Sequence, residues 1–100
     1  ETHPAEWQAY CNRADRLKKL GLLEEAIADY EKCVEMQEAP HIIDGLYSLA
    51  QVHEAMQDYE KAIYDNKRII EYLASDFGIS DGEQVDSRKR EIERLKSFLL

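Results

Sequence analysis

Apolar residues recur at spacings of three and four along most of the chain, which is the period of one face of an α-helix. The clearest stretch runs from Gly21 to Glu35, and a weaker copy of it runs from Gln57 to Glu71. The two stretches align without a gap at an offset of 36 residues, Gln57 against Gly21. A fixed offset of this size indicates stacked repeats, in which each unit buries its apolar side against the next.

The pattern predicts five helices, of which four form two hairpins and the fifth covers the end of the stack. Gly21 is expected to end the first helix, Pro40 the second, and Asp58 to cap the fourth. Ser80, with Glu83 three residues later, has the spacing of a capping box for the last helix. The chain is therefore predicted to be one all-α domain with a first repeat at about 5–38, a second at about 41–74, a loop at 75–82 and a capping helix at about 82–99.

The predicted core is the apolar stripe of each helix. Ala14, Ala26, Ala50 and Ala62 are expected where paired helices approach most closely, because larger side chains would push the helix axes apart. The other residues expected to face inward are Tyr10, Cys11, Leu17, Leu20, Leu23, Ile27, Tyr30, Cys33, Val34, Leu46, Leu49, His53, Met56, Tyr59, Ile63, Asn66, Ile69, Ile70, Leu73, Val85, Ile92, Leu95 and Leu99.

These residues and their spacing resemble the tetratricopeptide repeat family, whose units are two-helix hairpins of about 34 residues. The resemblance covers about residues 5–74 and implies a right-handed stack of two hairpins plus a capping helix. Arg13 stands where the family usually has leucine, which predicts that the first helix is shifted or that its inner face is partly open. Asn66 replaces an aromatic residue. The matching positions are Tyr10, Ala14, Leu17, Ala26 and Tyr30 in the first unit and Leu46, Leu49, Ala50, His53 and Ala62 in the second.

The resemblance implies a protein-recognition role, because the first helices of such hairpins line a groove that holds a peptide or a partner helix. On this chain that groove would be acidic, so we expect a partner segment that carries Lys or Arg. The same polar residues are also what any solvated helix face would show. The predicted groove residues are Asn12, Asp15, Lys19, Asp44, Tyr47, Ser48, Gln51 and Glu54.

Some members of the family grip a C-terminal carboxylate with a clamp of Lys and Asn side chains. Here Cys11, Asp15 and Ser48 occupy clamp positions, and the acidic groove would repel the ligand. Binding of a chaperone tail is therefore not expected. The alternatives to peptide binding are self-association, in which the partner is a second copy of the chain, a structural spacer, or the sensor part of a regulatory protein.

The composition limits the classes of partner further. A net charge of −8 over 100 residues would be repelled by a nucleic acid or an anionic membrane, so neither is expected as a partner. No apolar run approaches the roughly 20 residues of a membrane span, and no leader is visible, which predicts a cytoplasmic protein. The first residue is not Met, which suggests a fragment of a longer protein.

No catalytic, metal or cofactor site is predicted. The chain has no Gly-rich phosphate loop and no His-x-x-x-His pair, so an enzyme is not expected. His53 falls on an apolar face, which favours a packed, hydrogen-bonded histidine over a ligand or base. Cys11 and Cys33 are interpreted as two reduced core residues, with a disulfide between facing helices as the alternative that sequence alone does not support.

Overall fold

Five α-helices pack in chain order in a computed structural model, which describes residues 4–36 and 42–100. No strand occurs in these two ranges, so the predicted all-α stack of hairpins is confirmed. Pro40, expected to stop the second helix, lies outside the described residues. The helices are α1 Pro4–Lys19, α2 Leu23–Met36, α3 Ile42–Ala55, α4 Tyr59–Phe77 and α5 Glu83–Lys96, followed by a 3-10 turn at Ser97–Leu99.

Gly21 and Gln57 close the turns of the two hairpins in the same way. Both are left-handed, with φ of 79° and 63°. Each donates its N–H to the carbonyl three residues earlier, while the next residue donates to the carbonyl five residues earlier. This is the Schellman pattern, which glycine adopts freely but which costs a residue with a Cβ about 1 kcal/mol. The predicted end of α1 at Gly21 is confirmed, as is the cap at Asp58, whose carboxylate accepts from the Lys61 N–H at 3.3 Å.

The connection between α4 and α5 is shorter than the sequence pattern predicted. Ser75 to Phe77, expected in the loop, form the last turn of α4, which ends at Gly78 with a left-handed φ of 67°. The predicted capping box at Ser80 is wrong, because the N-cap of α5 is Gly82 and no side chain caps the helix. Gly82 has a φ of 101°, and its carbonyl accepts from the Asp86 N–H at 2.8 Å. The N-cap therefore lies two residues after Ser80, and the helix starts at Glu83.

Small residues fill the helix crossings, as predicted. Ala14, Ala26 and Ala62 are completely buried and Ala50 is nearly so. Around them the core is continuous from one helix to the next along the stack. One cluster joins the first hairpin to α3 through Tyr30, Leu49 and Val52, a second joins α2 to α5 through Val34, Ile42, Leu46, Ile69, Leu73 and Val85, and a third joins α4 to α5 through Ile63, Ile92 and Leu95.

Three residues that were predicted to face inward are exposed instead. Leu20 is 72% exposed, Met56 37% and Leu99 49%. Leu20 and Met56 directly follow the last residue of their α-helices and Leu99 lies three residues beyond the end of α5, so the α-helical period no longer carries these side chains to the buried face.

The interpretation of the two cysteines as reduced core residues is wrong. Cys11 of α1 and Cys33 of α2 form a disulfide bond, with their Cα atoms 5.5 Å apart. That distance is typical of disulfides, and it arises because the turn at Gly21 folds α2 back along α1. Cys33 is completely buried, whereas Cys11 is partly exposed.

Candidate functional site

The first helix of each hairpin and the last helix lie side by side. Lys18 of α1 donates to Gln51 of α3 at 3.0 Å, and Arg94 of α5 donates to Glu54 of α3 at 2.7 Å. These bonds bring α1, α3 and α5 into one face, which we call the α1–α3–α5 face. Small cavities open between α1 and α3 and between α3 and α5, and both are lined by residues that the sequence placed in a groove.

The cavity between α1 and α3 is acidic. It measures about 190 Å³, and Asp15, Asp44 and Ser48 line it together. The buried Tyr30 hydroxyl donates to the Asp15 carboxylate. Burial, and then this hydrogen bond, raise the pKa of Tyr30 above its ordinary value, so the hydroxyl stays protonated and holds Asp15 in place. Within the described residues neither Asp15 nor Asp44 forms an ion pair.

The cavities between α3 and α5 are instead organised by Arg88, which sequence reasoning missed. Its guanidinium donates to Asn66 at 2.8 Å and to the Tyr47 hydroxyl at 2.7 Å, and it lies 4.3 Å from the centroid of the Tyr47 ring. The two cavities measure about 240 and 250 Å³. Tyr47, Gln51 and Glu54 line the first, and Tyr47 and Asp44 line the second.

A second arginine neutralises acidic residues at this end of the face. Arg94 pairs with Glu91 of its own helix and with Glu54 of α3, and these two carboxylates raise the pKa of Arg94 in that order. Its hydrogen bond in turn lowers the pKa of Glu91. The α1–α3–α5 face is therefore not uniformly acidic: within the described residues Asp15 and Asp44 form no ion pair, whereas Glu54 and Glu91 pair with Arg94.

The predicted groove residues divide into those that the structure brings together and those that it does not. Six of them line the cavities just described: Asp15, Asp44, Tyr47, Ser48, Gln51 and Glu54. Asn12 and Lys19 are exposed on α1 and line none of these cavities.

Two buried carboxylates on the second helices were also missed. Asp29 of α2 accepts from Nε and Nη2 of Arg13 at 2.6 and 2.7 Å, and Asp65 of α4 lies 2.6 Å from Nδ1 of His53. The hydrogen bond from Arg13 outweighs burial and lowers the pKa of Asp29. Arg13 therefore forms an ion pair that connects α1 and α2. His53 is the packed, hydrogen-bonded histidine that was predicted. The alignment of the two repeats could have predicted this pair of sites, because Asp29 and Asp65 are equivalent at the offset of 36.

Searches for a membrane span and for a metal site gave no candidate in the described part of the chain. None of its helices combines the length and the apolar character needed to cross a bilayer. No group of three or more His, Cys, Asp or Glu side chains in residues 4–36 and 42–100 is placed to hold a metal ion.

Comparison with known proteins identifies the first hairpin. Residues 8–40 match the family model of the tetratricopeptide repeat, a segment that includes the Cys11–Cys33 bond and both members of the Arg13–Asp29 pair. No curated protein and no solved structure gives a significant match. Repeats of this family are generally non-catalytic modules for interaction between proteins. The first hairpin of this chain is therefore a tetratricopeptide repeat.

Proposed function

We propose that the α1–α3–α5 face binds a peptide or helical segment of a partner protein, and that the cavity between α1 and α3 receives a Lys or Arg side chain of that segment. The observation that carries the proposal is the placement of Asp15 and Asp44 on one small cavity, two carboxylates that pair with no cation in residues 4–36 and 42–100. Two negative charges around a recess attract a cation and repel a carboxylate.

The neighbouring residues support a segment that continues across α3. Tyr47 is 42% exposed and is held by Arg88, so it offers a fixed aromatic surface beside the acidic cavity. Held aromatic side chains contribute strongly to protein interfaces because little conformational freedom is lost on binding. The partner segment would place its cation between α1 and α3 and an apolar side chain on Tyr47.

The proposed role is that of a non-catalytic adaptor with a protein partner. A net charge of −8 favours a basic partner over a nucleic acid or an anionic membrane. The cytoplasmic location stays a prediction, and the Cys11–Cys33 bond weighs against it because disulfides are rare in reducing compartments. Alkylation of free thiols during extraction, followed by mass spectrometry, measures whether the bond is present in cells.

The proposal is tested with an array of random 12-residue peptides probed with the intact chain. Selected peptides should be enriched in Lys and Arg. Asp15→Asn, which keeps an acceptor for Tyr30, and Asp44→Asn should each weaken a selected peptide about twofold to fivefold, as for an exposed ion pair. Both variants should also reduce the loss of affinity between low and high salt.

Glu25→Gln is the matched control, because it makes the same charge change at an exposed position in the first turn of α2. It should leave peptide affinity unchanged. An array without basic enrichment, or equal affinities for wild type and both Asn variants, would contradict the proposal. A dimer at micromolar concentration in sedimentation experiments, together with an array that selects nothing, would favour self-association.

A further inference from the structure

A second, larger cleft lies between α2 and α4, with α3 as its floor. It measures about 520 Å³ and shares no lining residue with the cavities of the α1–α3–α5 face. Its α4 wall runs from Lys61 to Tyr72, which is about 16 Å of helix at 1.5 Å per residue. A cleft of that length matches about three turns of a helix.

The two walls of this cleft carry opposite charges. Glu31 and Glu35 lie one turn apart on α2, and Lys61 and Arg68 lie two turns apart on α4. No ion pair within the described residues crosses the cleft. Lys61 instead pairs at 3.7 Å with Asp58 beside its own turn, and Arg68 lies over the Tyr64 ring at 5.7 Å. Opposite charges therefore face each other across open space, and a segment with complementary edges would pair with both walls.

His53 on the floor supplies a polar atom for the same ligand. Its side chain is 5% exposed, it lines the cleft, and its Nδ1 lies 2.6 Å from a carboxylate oxygen of Asp65. Because the carboxylate accepts from Nδ1, the neutral ring keeps its lone pair on Nε2. Within the described residues Nε2 has no protein partner. A nitrogen this buried is costly to leave unpaired, so a donor from a bound segment would stabilise it.

We propose that the cleft between α2 and α4 is a second docking site, for a short helical segment of a partner with Lys or Arg along one edge and Asp or Glu along the other. The cationic edge faces Glu31 and Glu35, and the anionic edge faces Lys61 and Arg68. Between them a Ser, Thr, Asn or Gln side chain donates to Nε2 of His53. This binding mode is that of a helix in a groove, with charges at three- and four-residue spacing on both edges.

Three fluorescent helical peptides of 14 residues test the proposal on the intact chain. They share an apolar stripe with a central Ser and differ only in their edges, which are Lys and Glu, Lys and Lys, or Glu and Glu. Fluorescence anisotropy should show at least tenfold tighter binding of the mixed peptide. Equal affinities for the three peptides would overturn the proposal.

Charge reversal on the protein locates the site. Glu31→Lys with Glu35→Lys should weaken the mixed peptide at least tenfold and should make the Glu and Glu peptide the tightest of the three. Both positions are exposed, so this variant should fold, which circular dichroism checks. Asp15→Asn and Asp44→Asn should leave these affinities unchanged, since they lie on the other face. Weakening by the two Asn variants alone would place the peptide on the α1–α3–α5 face and overturn the second site.

Discussion

Asp29 and Asp65 are single residues that connect the two helices of their respective hairpins. Each sits on the second helix, is at least nine-tenths buried, and meets a nitrogen from the first helix of the same hairpin. The partner differs, being Arg13 in one and His53 in the other. Removing either partner would leave a buried carboxylate without a donor, which is more costly than never burying one.

Replacing Asp29 by Asn should make the stability of the protein less sensitive to acid. The pKa of Asp29 is lowered in the folded protein, mainly by the hydrogen bond from Arg13. The carboxylate therefore stabilises the fold fully above its ordinary pKa of 3.8, and this stabilisation is lost as the pH falls through the lower folded value. In urea unfolding between pH 2 and 6, the free energy of unfolding should decline less steeply below about pH 4 for Asp29→Asn than for wild type.

The control for this prediction is Glu24→Gln, an exposed carboxylate in the first turn of the same helix. The free energy of unfolding of Glu24→Gln should decline below pH 4 as steeply as that of wild type. If Asp29→Asn instead lost stability in acid as steeply as wild type, the Arg13 pair would not contribute to folding.

Neither Asp29 nor Asp65 can be recognised as a buried residue from its own position in the sequence, but the alignment of the two repeats places them together. An aspartate in a helix is ordinarily solvated, and only the alignment of Asp29 with Asp65 shows one site used twice. Arg88 had no such signal. Its contact with Tyr47 spans 41 residues of sequence and depends on how α5 packs against the stack.

Among the elements, the first hairpin has a covalent connection for which the second has no equivalent. The Cys11–Cys33 bond closes a separation of 22 residues between α1 and α2, and the second hairpin has Tyr47 and Ile69 at the equivalent positions. A bond of this kind stabilises chiefly by restricting the unfolded chain. The number of cysteines does not reveal it, since the pairing depends on the distance that the turn at Gly21 creates.

Reduction of this bond should lower the free energy of unfolding by about 3 kcal/mol, the value expected for a loop of this length. Urea unfolding with and without a phosphine reductant measures the difference. The double variant Cys11→Ser, Cys33→Ser should resemble the reduced protein and should not respond to the reductant. A wild-type midpoint unchanged by full reduction would show that the bond adds nothing to the stability of the hairpin.

Helix order and hairpin pairing followed from the sequence more reliably than the helix ends. The small residues and the offset of 36 specify which helices pair, because these features decide how closely the axes approach. The end of α4 and the start of α5 depend instead on left-handed glycines at Gly78 and Gly82. The sequence pattern favoured Ser80 there, since a capping box is a property of residue spacing and ignores backbone conformation.

At the scale of the whole molecule, α5 forms a further layer that packs on α4. Val85, Ile92 and Leu95 are its buried residues, and they pack on α4. The sequence predicted this layer and these three buried residues, although Leu99 of the predicted stripe is exposed. The charge of the α1–α3–α5 face was predicted less well, because arginines of α5 reach across to Tyr47 and Glu54.

A chain that ends at Gly82 should lose cooperative unfolding. Burial of the three apolar side chains of α5 contributes about 1.5 to 3 kcal/mol each, a large share of the 5 to 15 kcal/mol typical of a domain. Thermal melting by circular dichroism should show a broad transition or none. Removal of Leu99 and Leu100 alone, both of which are exposed, should change stability by less than about 0.5 kcal/mol. A sharp transition in the chain ending at Gly82 would show that α5 is dispensable.

Two exposed ion pairs lie within α5 itself. Arg90 reaches Glu83 at 2.6 Å and Lys96 reaches Glu93 at 3.2 Å. The helix is therefore apolar toward α4 and carries pairs of opposite charges on its exposed surface. An additional 36-residue unit is therefore expected to pack better when inserted ahead of α5 than when appended after it. Ahead of α5 it would meet the apolar sides of both α4 and α5, whereas after α5 it would meet a helix surface that carries paired charges.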